Sequence, residues 1–246
     1  MTGWERVLSH TEKMIDPLLM SNQRKKVVAI LAFVLLVAEI IGLIISVINQ
    51  IKKGNPAYHV FKAYTQDSNI LSMFSALALL LATVKSIKSG SEISHRALVF
   101  RYVTTCLTTV TFLIVVVVLM PNKDPEVGGF INNFFSGSLF WYHGFCPILA
   151  LLMFLFFEGK HDLRAKNIIL AIIPTFLYAI TWVSLVGFNI VPDEDAPYPF
   201  LRVHQQSVGA SVMWCCIILG VAAVVATVFY FIGREKSVSK NETTEE

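Results

Sequence analysis

The chain has 246 residues, 55% of them hydrophobic and only 15% charged, and its mean hydropathy is +0.64. That balance is too apolar for an ordinary water-soluble domain. A net charge of +3, with its basic residues spread between apolar runs rather than gathered in one patch, gives no footing for nucleic acid. Cys106, Cys146, Cys215 and Cys216 all fall inside apolar runs, without a CxxC pair or a mixed Cys/His spacing. Neither a disulfide framework nor a zinc site is indicated, and no metal or organic cofactor is expected. The fold class is all-α: a polytopic membrane protein built as a bundle of six transmembrane helices.

Residues 1–26 precede the first apolar run. Trp4, Val7, Leu8, Thr11, Ile15, Leu18 and Leu19 recur there at helical spacing. Such a segment can lie on the membrane surface as an amphipathic helix or remain a disordered tail. Charges interrupt it and no small-residue cleavage site follows an apolar core, so it does not read as a signal peptide.

Six long apolar runs make one membrane domain over residues 27–232, and residues 233–246 read as a disordered tail. The first span, 27–51, carries Glu39 with Gly42, Ser46 and Asn49 on the same face. The second, 58–84, opens with a polar stripe of Thr65, Ser68, Asn69 and Ser72, which facing lipid would cost free energy, so it is expected to face the bundle. Asp67 lies off that stripe. The third, 95–120, is lined by Thr104, Thr105, Thr108, Thr109 and Thr111, whose hydroxyls can bond back to the preceding turn. The fourth, 130–157, puts Asn132, Ser136 and His143 on one face, with Pro147 four residues beyond the histidine. Proline lacks the N–H that would have bonded the His143 carbonyl, so a kink or a water is expected there. The fifth, 166–191, bears Pro174, Tyr178 and Trp182; prolines and acids then mark a loop before the sixth, 206–232.

Lys and Arg cluster before the first span, in the second and fourth connections and in the tail, with Lys52 and Lys53 as the exception. The majority places both termini in the cytoplasm of a protein embedded in the cell membrane. At ~1.5 Å per helical residue, Thr65 lies roughly 10 Å below the outer end of the second span. His143 lies roughly 15–20 Å below that of the fourth. Glu39 is expected to face the bundle and bond a polar partner, with His143 preferred and Arg101 too near the inner side. A hydroxyl, an imidazole and a carboxylate at similar depth fit a nucleophile, its base and an orienting acid. Ser68, Asn69 and Asn132 stand beside them as supporting groups, with Asn69 and Asn132 able to stabilise an oxyanion. The same residues also fit separately satisfied polar groups that pin helices together.

Two stretches, KAYTQDSNIL and WYHGFCPIL, carry a resemblance. A threonine preceded by an aromatic residue and followed by Ser-Asn (Tyr64, Thr65, Ser68, Asn69), then His143 with Pro147, then Pro197-Tyr198-Pro199-Phe200, together resemble a six-span family. It is the family of the androgen-induced and androgen-dependent membrane hydrolases of fatty-acid esters of hydroxy fatty acids, and the chain looks most like its bacterial branch. The resemblance implies an intramembrane threonine and histidine at Thr65 and His143, membrane lipids as partners and a long-chain acyl ester as substrate. The residues alone leave open a small transporter or ligand-binding membrane protein without catalysis.

Overall fold

The computed structural model describes residues 20–119, 135, 137–160 and 162–234. Asn132, Ser136, the segment 1–19 and the tail from 235 to 246 lie outside the described residues. Among the described residues, six helices are long and apolar enough to cross a membrane: α1 (Asn22–Lys52), α2 (Tyr64–Ser89), α3 (His95–Leu119), α4 (Gly137–Phe157), α5 (Lys166–Gly187) and α6 (Val208–Gly233). The protein is therefore an all-α, multi-pass membrane protein.

α3 is the central helix. It packs against α2, α4, α5 and α6, and 61% of its apolar window is buried, against 17% for α5 and 22% for α6. One core cluster joins Tyr102, Cys106 and Val110 of α3 to Phe154 of α4 and Ala226 and Phe229 of α6. Another joins Val28, Ala32 and Leu35 of α1 to Leu79 of α2 and Cys146 and Met153 of α4. Large apolar side chains such as Ile30, Phe33, Phe74, Leu81 and Leu177 face outward, as a hydrocarbon surrounding allows. The α2–α3 seam is polar instead. Ser68 Oγ lies 3.0 Å from Thr111 Oγ1, and Ser75 Oγ lies 2.7 Å from Thr104 Oγ1. The threonines also bond back within α3, Thr108 to the Thr104 carbonyl and Thr111 to the Leu107 carbonyl.

The boundaries differ from the sequence reading in ways that matter. Ser21 caps α1 by accepting from the Arg24 N–H at 3.2 Å, so the first span takes in the Arg24-Lys25-Lys26 triplet. The second span does not begin at 58. Ala57–Lys62 form a 3-10 turn, Ala63 is extended (φ −95°, ψ 130°), and the α-helix opens only at Tyr64. The break is held from outside: Tyr178 Oη donates to the Lys62 carbonyl at 2.7 Å, supplying a donor that a continuous helix would have provided. Thr65 accordingly sits in the first turn of α2, not two turns inside it. α5 stops at Gly187, because Asn189 takes a left-handed conformation (φ 57°) that asparagine tolerates.

Pro147 produces a wide turn. Phe140–Phe145 are π-helical, and the Cys146 N–H reaches the Trp141 carbonyl, one residue farther back than in an α-helix. A second π segment, Met153–Phe157, ends α4, with the Glu158 N–H on the Met153 carbonyl at 2.9 Å.

At one end of the bundle, Arg24 donates to the carbonyls of Phe157 (2.8 Å) and Phe156 (3.2 Å), and Lys25 donates to Ser91 O at 2.9 Å. Gly233 packs on Phe154 and Leu163 beside them. The start of α1, the α2–α3 turn and the ends of α4 and α6 therefore share this end, where most of the basic residues gather.

Candidate functional site

The buried stripe of α2 turns inward as expected: Thr65, Ser68, Asn69 and Ser72 are all buried. Thr65 lies at the rim of a narrow pocket between α2, α3, α5 and α6. Its walls are apolar, with Val110, Ile114, Ala179 and Ile218 among them. The connection between α5 and α6 closes it with Tyr198, Phe200 and Leu201. Tyr198 is itself extended (φ −137°, ψ 145°), as a residue before proline favours, and the 3-10 turn begins only at Pro199. Tyr198 Oη lies 3.4 Å from both the Thr65 main-chain nitrogen and Thr65 Oγ1. Its ring stacks on Phe200 and tilts against Tyr178. Exclusion of water in this packing pushes the Tyr198 hydroxyl above the usual tyrosine range, so it remains a donor.

Asn69 bridges two helices. One amide nitrogen donates to the Thr65 carbonyl at 2.7 Å and to the Tyr142 carbonyl at 3.2 Å. The backbone of Thr65 is thereby tied to the residue just before His143. Both Asn69 contacts are spent on main chain, which leaves its amide nitrogen no freedom to serve an oxyanion. Ser68 donates to the Thr65 carbonyl at 3.1 Å, so it too supports the turn that carries the threonine.

His143 is buried in the π segment of α4. Its Nδ1 has no hydrogen-bond partner among the described residues. No hydrogen bond joins it to Thr65 among those residues, and it does not line the Thr65 pocket. No family model, curated protein or solved structure matches this chain.

Glu39 is 1% exposed and faces the bundle, but His143 is not its partner. Ser72 and Cys146, on α2 and α4, are buried in the same interior. No ordinary hydrogen bond reaches either carboxyl oxygen among the described residues. Arg101 is not its hydrogen-bond partner either, as the sequence reading expected. Below Glu39, Arg101 donates from Nε to Glu158 Oε1 at 3.0 Å and from Nη1 to Ser75 Oγ at 3.1 Å, with Arg101 and Glu158 both fully buried. The sequence reading missed Glu158, placed just past the apolar run. The signal was an arginine inside a span, which in hydrocarbon demands an acid.

Proposed function

We propose that this membrane protein hydrolyses acyl esters of lipids, with Thr65 as nucleophile and His143 as its base. The observation that carries the reading is the position of Thr65: a buried hydroxyl in the first turn of a long helix, at the rim of an apolar pocket between spans. The apolar character of these walls suits an acyl chain, whose ester carbonyl would then meet the hydroxyl. The Thr65 N–H, which donates to Tyr198 Oη at 3.4 Å, and the Tyr198 hydroxyl would exchange that long contact for the developing oxyanion, as a pair of donors. The N–H belongs to a helix N-terminus, where negative charge is favoured.

In this mechanism Thr65 Oγ1 attacks the ester carbon and gives its proton to the His143 imidazole. The bond from carbon to the leaving oxygen then breaks, and the departing alcohol takes that proton. Water releases the fatty acid by the reverse assignment of roles and restores the threonine. The Asn69 bridge supports the pairing, because it keeps the Thr65 turn against the π segment of α4. The chain's resemblance to the androgen-induced and androgen-dependent hydrolases points to the same two residues and to esters of hydroxy fatty acids.

One observation favours a second reading, a lipid-binding or transport protein without chemistry. The Thr65 hydroxyl is held by Tyr198 rather than by an imidazole. A fluorophosphonate probe separates the two, since only an activated nucleophile labels covalently. Labelling of wild type that maps to Thr65 and disappears in Thr65→Ala supports hydrolysis. Absence of labelling in a folded, detergent-solubilised protein favours the binding reading.

A further inference from the structure

A lateral groove runs between α3 and α5 at the basic end of the bundle. His95, Arg96 and Lys166 stand at its mouth, and Val99, Leu170 and Pro174 are among its walls. All three mouth residues occupy the first turn of their helices, where the helix dipole disfavours a cation. Neither first turn contains an acid to offset them. The nearest acids in sequence are engaged elsewhere, Glu92 with Lys25 at 3.6 Å and Asp162 with Arg164 at 3.4 Å. Among the described residues, His95, Arg96 and Lys166 have no ion-pair partner. Local electrostatics are therefore unfavourable at a place that continues directly into an apolar slot.

We propose that this groove seats one anionic phospholipid, with its headgroup phosphate on Arg96, Lys166 and His95 and an acyl chain along Val99, Leu170 and Pro174. The charge complementarity selects the occupant. The charged and ionisable side chains at the mouth are all basic, and the neighbouring Asn167 is neutral with its Oδ1 taken by the Arg164 N–H, so a headgroup with net negative charge is held and a choline group is repelled. The apolar walls exclude a free inorganic anion as the natural occupant, because such an ion leaves them exposed. A basic pocket between spans on one side of a membrane is a known physical solution for holding acidic lipids. The site is independent of the ester chemistry at Thr65, which opens at the other end of the bundle.

Native mass spectrometry of the purified full chain tests it, with phosphatidylglycerol and phosphatidylcholine offered at equal concentration. The wild type is expected to retain one phosphatidylglycerol and to release phosphatidylcholine. Arg96→Gln with Lys166→Gln should weaken that retention by roughly tenfold or more. Leu170→Trp, a substitution at an outward-facing wall residue, keeps every charge but narrows the slot, and it should weaken retention as well. Three results would overturn the proposal: equal retention of phosphatidylcholine, retention unchanged in both variants, or loss in the charge variant with none in Leu170→Trp. The last would mean annular attraction only. If the charge variant does not fold, Leu170→Trp alone decides.

Discussion

Arg101 Nε lies 3.0 Å from Glu158 Oε1 inside the bundle, and neither side chain is exposed at all. The pair joins the second turn of α3 to the residue just past α4, and the π turn before Glu158 is what carries the acid inward. Removing one member leaves an uncompensated buried charge, which costs about 3–5 kcal/mol. Glu158→Ala and Arg101→Ala should therefore each lower the thermal unfolding midpoint in detergent sharply. The double variant Arg101→Met/Glu158→Leu should recover most of that loss. Additive losses would show that the two do not act as a pair.

Gly42 is a close-approach position. A Cβ added there would collide with the ring of Tyr142, whose hydroxyl donates to the Glu39 carbonyl at 3.0 Å. Gly42→Ala should cost about 1–3 kcal/mol through overpacking and should displace the segment that carries His143. Unfolding in detergent measures the first effect. Gly187→Ala, where nothing crowds the added carbon, is the control expected to show little change.

The six spans were legible in the sequence because hydrocarbon permits only long, internally bonded helices there. The buried stripe of Thr65, Ser68, Asn69 and Ser72 was legible for the same reason. What periodicity does not encode is a break made by a distant side chain. The helix start at Tyr64 depends on Tyr178 satisfying the Lys62 carbonyl, a contact across 116 residues. The contribution of Tyr198 was hidden in the same way. Its segment was visible as a loop, but nothing local said that the loop folds back on Thr65. The wide turn at His143 was half legible, since Pro147 announced a lost hydrogen bond but not the π geometry that absorbs it.

Asn69 gives a prediction on the link between helices. Asn69→Ala leaves the Tyr142 carbonyl without its donor, a buried vacancy that costs about 1–3 kcal/mol. If the bridge also sets the approach of His143 to Thr65, ester turnover should fall further than stability accounts for at a temperature where the variant is fully folded. Turnover that merely tracks the folded fraction would assign Asn69 to architecture alone.

Tyr198→Phe keeps the ring on Phe200 and Tyr178 while removing the hydroxyl beside Thr65. If it is one of two oxyanion donors, as proposed, its loss should lower kcat by roughly a hundredfold or more and leave KM nearly unchanged. Steady-state kinetics with a long-chain ester make that split visible. A rise in KM alone would place Tyr198 in substrate binding only.

The most direct measurement is turnover of long-chain esters, including esters of hydroxy fatty acids, by purified wild type, Thr65→Ala, Thr65→Ser and His143→Ala, each shown to be folded. Hydrolysis by wild type, abolished in Thr65→Ala and in His143→Ala and partly retained in Thr65→Ser, is the expected result. The Thr65→Ala/His143→Ala double variant should be no worse than either single one, because the two residues act as a unit. Undiminished turnover by Thr65→Ala, or no turnover of any ester by wild type, would contradict it.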